Sequence, residues 1–129
     1  RRHPSLRRRT FLTGRVDDGQ PPAVVWHSVE PGHPDFSPSS RSLALTLDGR
    51  RCDRPGVVDR DLYIAMNAFW DPLTFRIPAA PSGRPWRRAV DTALVSPDDA
   101  LGLDEGPAIP VLHPYRVEAR STIILISEA

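Results

Sequence analysis

The chain is predicted to be all-β, an antiparallel β-sandwich of about six to eight strands with a short helical segment at its N-terminal end. Three observations carry the prediction. Prolines divide the 129 residues, and each long proline-free window (39–54, 56–71, 86–96 and 115–129) contains one strand-like stretch. Proline has no main-chain N–H and is confined to strand ends, edges and turns, so uninterrupted strands run between prolines. Residues 62–68 and 73–77 flank the short turn Phe69-Trp70-Asp71-Pro72, which reads as a β-hairpin. Amphipathic helical periodicity is almost absent, which argues against a parallel α/β sheet.

Each element has its own reason. Residues 1–11 are helix-compatible but for Pro4, so one helix is expected to end at Arg2-His3 and another short one to begin at Pro4. Residues 23–29 (AVVWHSV) read as a strand with Trp26 in the core, and the proline- and glycine-rich 30–40 as loop. Leu43, Leu45 and Leu47 alternate with Ala44 and Thr46 into Asp48-Gly49, a strand running into a turn. In the next strand Leu62, Ile64 and Met66 point one way and Tyr63, Ala65 and Asn67 the other, so apolar groups occupy both faces. Such a strand belongs in the middle of a sheet, covered on both sides. Leu73, Phe75 and Ile77 oppose Thr74 and Arg76, which gives one wet face. Residues 86–94 supply a fifth strand with Trp86 in the core. Residues 97–114 form a long loop with a helical turn begun by Ser96. Residues 115–127 form the last strand, whose run Ile123-Ile124-Leu125-Ile126 asks for burial on both faces.

Composition bounds the function. A 129-residue chain that is 40% hydrophobic suits one domain with a core, and its 15 prolines and 8 glycines stay below the ~25–30% share of low-complexity sequences. The net charge of +1 gives no overall electrostatic reason to bind nucleic acid. Arg1, Arg2, Arg7, Arg8, Arg9 and Arg15 precede any acid, yet they lack the interleaved aromatics of a single-strand reader. A solvated or interdomain segment is expected there. Cys52 is the one cysteine, which excludes an internal disulfide and a multi-cysteine zinc site and agrees with a reducing, cytoplasmic setting. No stretch approaches the ~20 apolar residues that span a bilayer. The opening Arg-Arg-His-Pro, with Met66 as the one methionine, reads as part of a longer protein.

A search for chemistry returns little. His3, His27, His33 and His113 have no metal-ligand spacing, and no serine sits in a nucleophile-elbow setting. Glycoside hydrolysis needs two carboxylates, ~5–5.5 Å apart in a retaining enzyme. Asp59 and Asp61 lie two residues apart before a strand, and Asp17-Asp18 and Asp98-Asp99 sit in turn-like contexts, where local main-chain hydrogen bonds account for them. No catalytic residue, metal site or cofactor is therefore assigned. Trp70, beside Phe69 at the turn, is the one candidate sugar contact, through stacking of a ring face on glucose. The competing expectation is that Trp70 packs on a neighbouring domain or covers the end of the core.

Several pieces in order resemble one family. They are RRHPSLRRRTFLTG at 1–14, Trp26, SRSLAL at 40–45, Asn67-Ala68, Leu73-Thr74-Phe75, Trp86 with Val90-Asp91-Thr92, and Ala119-Arg120-Ser121. Together they look like the C-terminal domain of a bacterial glycogen debranching enzyme of the isoamylase type, in the α-amylase superfamily of glycoside hydrolases. The resemblance implies that residues 1–14 are the end of the catalytic barrel's last helix and a linker, and that 15–129 are a C-terminal β-sandwich. It implies a parent enzyme that cleaves α-1,6 branch linkages of glycogen by a retaining mechanism, with every catalytic acid on the barrel and none here. A (β/α)₈ barrel alone takes ~200–250 residues, more than this chain holds. The implied partner is that catalytic barrel in the same polypeptide, with α-glucan as a second and neither nucleic acid nor membrane. The implied role is to pack against the barrel and stabilise it; the alternative is an independent carbohydrate-binding module. Departures are the stretch 26–36, where Phe36 stands in place of a common tryptophan, and the long 97–114 loop.

Overall fold

The computed structural model describes residues 2–15, 19 and 21–129. The Asp17-Asp18 pair weighed above lies outside them, as does Arg1. The fold is nearly all β. The strands are β1 (Val24–His27), β2 (Ser42–Leu47), β3 (Leu62–Asn67), β4 (Leu73–Arg76), β5 (Trp86–Asp91), β6 (Ala108–Ile109), β7 (Pro114–Val117) and β8 (Ser121–Ser127). Single 3-10 turns occupy Pro4–Leu6 and Gly49–Arg51. Proline at the head of the first turn has the φ that a helical start requires.

Six strands form one antiparallel sheet in the order β1-β2-β3-β8-β5-β6, and β4 pairs with β7 in a second. Tyr63, Ala65, Trp86, Ile123 and Leu125 of the large sheet meet Phe75, Ile77 and Val117 of the small one in a fully enclosed core. Burying each of the large side chains contributes about 1.5–3 kcal/mol. The alternation read from the sequence holds in β4, where Phe75 and Ile77 are buried while Thr74 and Arg76 face solvent. β3 does sit inside the large sheet, between β2 and β8.

Four expectations are corrected. Strands β3 and β4 do not form a hairpin. Both edges of β3 are already taken by β2 and β8, so the chain turns at 68–72 and crosses to the other layer. The expected last strand is two strands in different sheets, broken at Glu118-Ala119-Arg120, where Arg120 takes a left-handed conformation with φ 54°. The two crossings lie side by side, since the Arg120 N–H donates to the Phe69 carbonyl at 3.2 Å. Trp26 is not in the core. Its register partner is Leu45, so it lies on the outer face of the large sheet, 39% exposed and edge-to-face with Phe36. Finally, Ser96 begins a hydrogen-bonded turn rather than a helix, and the long loop contains the two-residue β6.

Asn67 holds the double corner. Its side chain is buried beneath both crossings, and its Nδ2 donates to the carbonyls of Asp71 (2.9 Å), Glu118 (3.1 Å) and Val117 (3.2 Å). Its Oδ1 accepts from the Phe69 N–H at 2.9 Å. One amide thereby satisfies main-chain groups that the two crossings leave without ladder partners.

Candidate functional site

The residues singled out as chemical candidates are scattered, and most are committed to holding the fold. Asp61 is buried. Its Oδ1 accepts from the Gly49 N–H at 2.9 Å and its Oδ2 from the Ser82 N–H at 2.8 Å, tying the turn after β2 to the turn before β5. Gly49 has no alternative there, because a Cβ would lie 2.2 Å from the Asp59 carbonyl oxygen. Asp59 turns to the N-terminal segment instead, accepting from the Ser5 N–H at 3.0 Å and facing His3 Nδ1 at 2.9 Å. Partial burial opposes its ionisation, but the hydrogen bonds from Ser5, His3 and Arg60 outweigh that and hold its pKa below the ordinary value. The two carboxylates are thus not a pair across a cleft. Asp98 and Asp99 lie in an exposed turn.

His27 and His33 do not converge. The Gly32 N–H donates to His27 Nδ1 at 2.7 Å, so the ring proton sits on Nε2 and is donated to Thr46 Oγ1 at 2.8 Å. This neutral, buried tautomer secures the loop after β1, and burial lowers its pKa. Among the described residues no three His, Cys, Asp or Glu side chains gather as a metal site would require. Among the described residues no helix is long and apolar enough to cross a membrane.

The arginine-rich start is partly clamped to the sandwich. Arg8 Nη1 donates to the Arg51 carbonyl at 2.6 Å, and the main-chain N–H groups of Arg9 and Thr10 donate to Asp53 Oδ2. Phe11 beyond them is 96% exposed. Trp70 stands on the corner after β3, 68% exposed, with its ring 4.5 Å from that of Phe69 and inclined 31° to it. It therefore covers no core.

A feature the sequence named only indirectly is the outer face of the large sheet. Val24, Leu47 and Leu62 pack there with Leu45, Ile124 and Ile126, the last three only half-buried. An open groove of about 440 Å³ runs beside them, lined by Leu6, Leu101 and Leu103 as well as Leu62, Ile124 and Ile126. The two apolar faces of β3 and the run 123–126 were its sequence signal.

The fold and these sites define a small two-layer β domain in which the candidate side chains of His27, Asp59 and Asp61 hold loops and turns in place. The chain belongs to the isoamylase 1-3 C-terminal domain family, which matches residues 25–122. It is 31% identical over 99 residues to isoamylase 2, chloroplastic, of Arabidopsis thaliana, covering 70% of this chain and 11% of that protein. It is 33% identical over 96 residues to isoamylase 1, chloroplastic, of Oryza sativa subsp. japonica, covering 74% and 11%. The rice isoamylase 2, chloroplastic, matches over 113 residues at 31% identity, covering 82% and 14%. The chain thus spans only about a ninth to a seventh of these relatives, which are plant proteins rather than bacterial ones.

Proposed function

We propose that this chain is the non-catalytic C-terminal sandwich of an α-1,6-glucan debranching enzyme, where it packs against the upstream catalytic barrel and steadies it. Residues 1–14 are the junction between the two. The observation that carries this reading is the clamp on that junction. His3, Ser5, Arg8, Arg9 and Thr10 are fixed to Asp59, Arg51 and Asp53, so whatever precedes them is held in one orientation to the sandwich. The occupied carboxylates of Asp59 and Asp61 support a role without bond cleavage here.

The test compares the full-length polypeptide with one ending before residue 15, both assayed on branched α-glucan. The shortened enzyme should keep the chemistry but lose activity faster on heating. Release of α-1,6-linked branches by residues 1–129 alone would refute the reading.

A second reading, a carbohydrate-binding surface, is favoured by the exposed Trp70 ring packed on the half-buried Phe69. It predicts that α-glucan changes Trp70 fluorescence and that Trp70→Ala abolishes the change.

A further inference from the structure

We infer that the outer face of the large sheet, with the groove between Leu6 and Leu103, is the surface on which the upstream domain of the same polypeptide sits. The inference rests on the proposed packing role and goes on to name the face.

The two outer surfaces of the sandwich differ in kind. On the small sheet, Thr74, Arg76, Arg116 and Glu118 are exposed, and Arg116 pairs with Glu118 at 2.8 Å. That surface is finished against water. On the large sheet the outward positions of the four strands β1, β2, β3 and β8 carry no charged side chain. They present Trp26, Leu43, Leu45, Ile64, Met66 and Ile124, none of them fully buried, and the charge on this face is confined to its rim on β5, where Arg87, opposite Ile126, pairs with Glu128 at 2.7 Å. A contiguous apolar area of this kind marks a contact surface. Strand β3 and the run 123–126 ask for cover on both faces, and the small sheet supplies it on one only.

The occupant follows from connectivity. The matching family is a C-terminal domain, and the relatives are about seven to nine times longer than the stretch they share with this chain, so in them most of the polypeptide lies upstream. The N-terminal segment, through which an upstream domain is joined, runs along this face. Arg2, His3 and Leu6 form one wall of the groove. The contacts of His3 and Ser5 with Asp59 hold that wall in place.

Hydroxyl-radical footprinting of the full-length polypeptide tests this, with each residue's labelling normalised to its rate in the denatured chain. Leu6 and Leu103, which the sandwich leaves 56% and 40% exposed, and Met66 should label severalfold more slowly than Trp70 and Val95, independent of protein concentration. Leu103→Arg, an exposed-loop change, should restore labelling at Met66. Protection of Arg76, Pro114 and Arg116 on the outer face of the small sheet, with Leu6 and Leu103 fully reactive, would overturn the choice of face but leave the packing role standing. Protection that fades on dilution would identify a second copy as the occupant and overturn the inference. Full reactivity of both faces would overturn the inference and the packing role together.

Discussion

The side-chain amide of Asn67, at the end of β3 in the large sheet, donates to the main-chain carbonyl of Val117, at the end of β7 in the small sheet. Here the chain passes between layers twice, and one buried side chain serves both crossings. Asn67→Ala leaves three carbonyls and the Phe69 N–H without this partner and should cost about 2–4 kcal/mol. Asn67→Asp should do no better, because a carboxylate cannot donate to carbonyls. Urea unfolding should show a lower midpoint with an unchanged slope.

Asp61 predicts a second large effect. Asp61→Ala strands the Gly49 and Ser82 N–H groups and should cost about 2–4 kcal/mol, whereas Asp61→Asn keeps one acceptor and should cost less. Thermal unfolding of the two variants would reveal the order.

His27 predicts a pH dependence with a definite sign. The imidazole ordinarily titrates near 6.5, and burial lowers that value in the folded protein. Below 6.5, and down to the folded value, the unfolded chain binds a proton that the folded chain refuses, so stability falls as pH falls through that window. Asp59, whose folded value is also depressed, loses its contribution only at more acidic pH. Comparing unfolding midpoints at pH 7.5 and 5.5 should show a drop in the parent chain that is much smaller in His27→Gln.

Tyr63 predicts the opposite kind of result. Its ring is fully enclosed between those of His27 and Trp86, and among the described residues its hydroxyl has no hydrogen-bond partner. Removing an unpaired buried hydroxyl relieves a desolvation cost, so Tyr63→Phe should leave stability unchanged or raise it by up to about 1 kcal/mol. Chemical denaturation of the single variant measures this directly.

The sequence announced whatever depends on local alternation. Phe75 and Ile77 against Thr74 and Arg76, and the double-faced β3, were legible because strand periodicity fixes which way each side chain points. Pairing was not legible in the same way. A short turn after β3 fits a hairpin and a layer crossing equally, and the decision lay with β8, more than fifty residues away. The break at Arg120 carried no glycine to mark its left-handed backbone. Trp26 fits a strand, but its exposure follows from a register that places it outward near the sheet edge. Of the site, Trp70 was correctly placed at a turn, and the role of Asn67 emerged only when Val117 and Glu118 came to lie beside it.

The most direct test of the central claim is calorimetry of the full-length polypeptide with and without Asn67→Ala. If the sandwich steadies the catalytic domain, the variant should lower the unfolding temperature of that domain along with its own. Two separate transitions, of which only the sandwich's moves, would contradict the account.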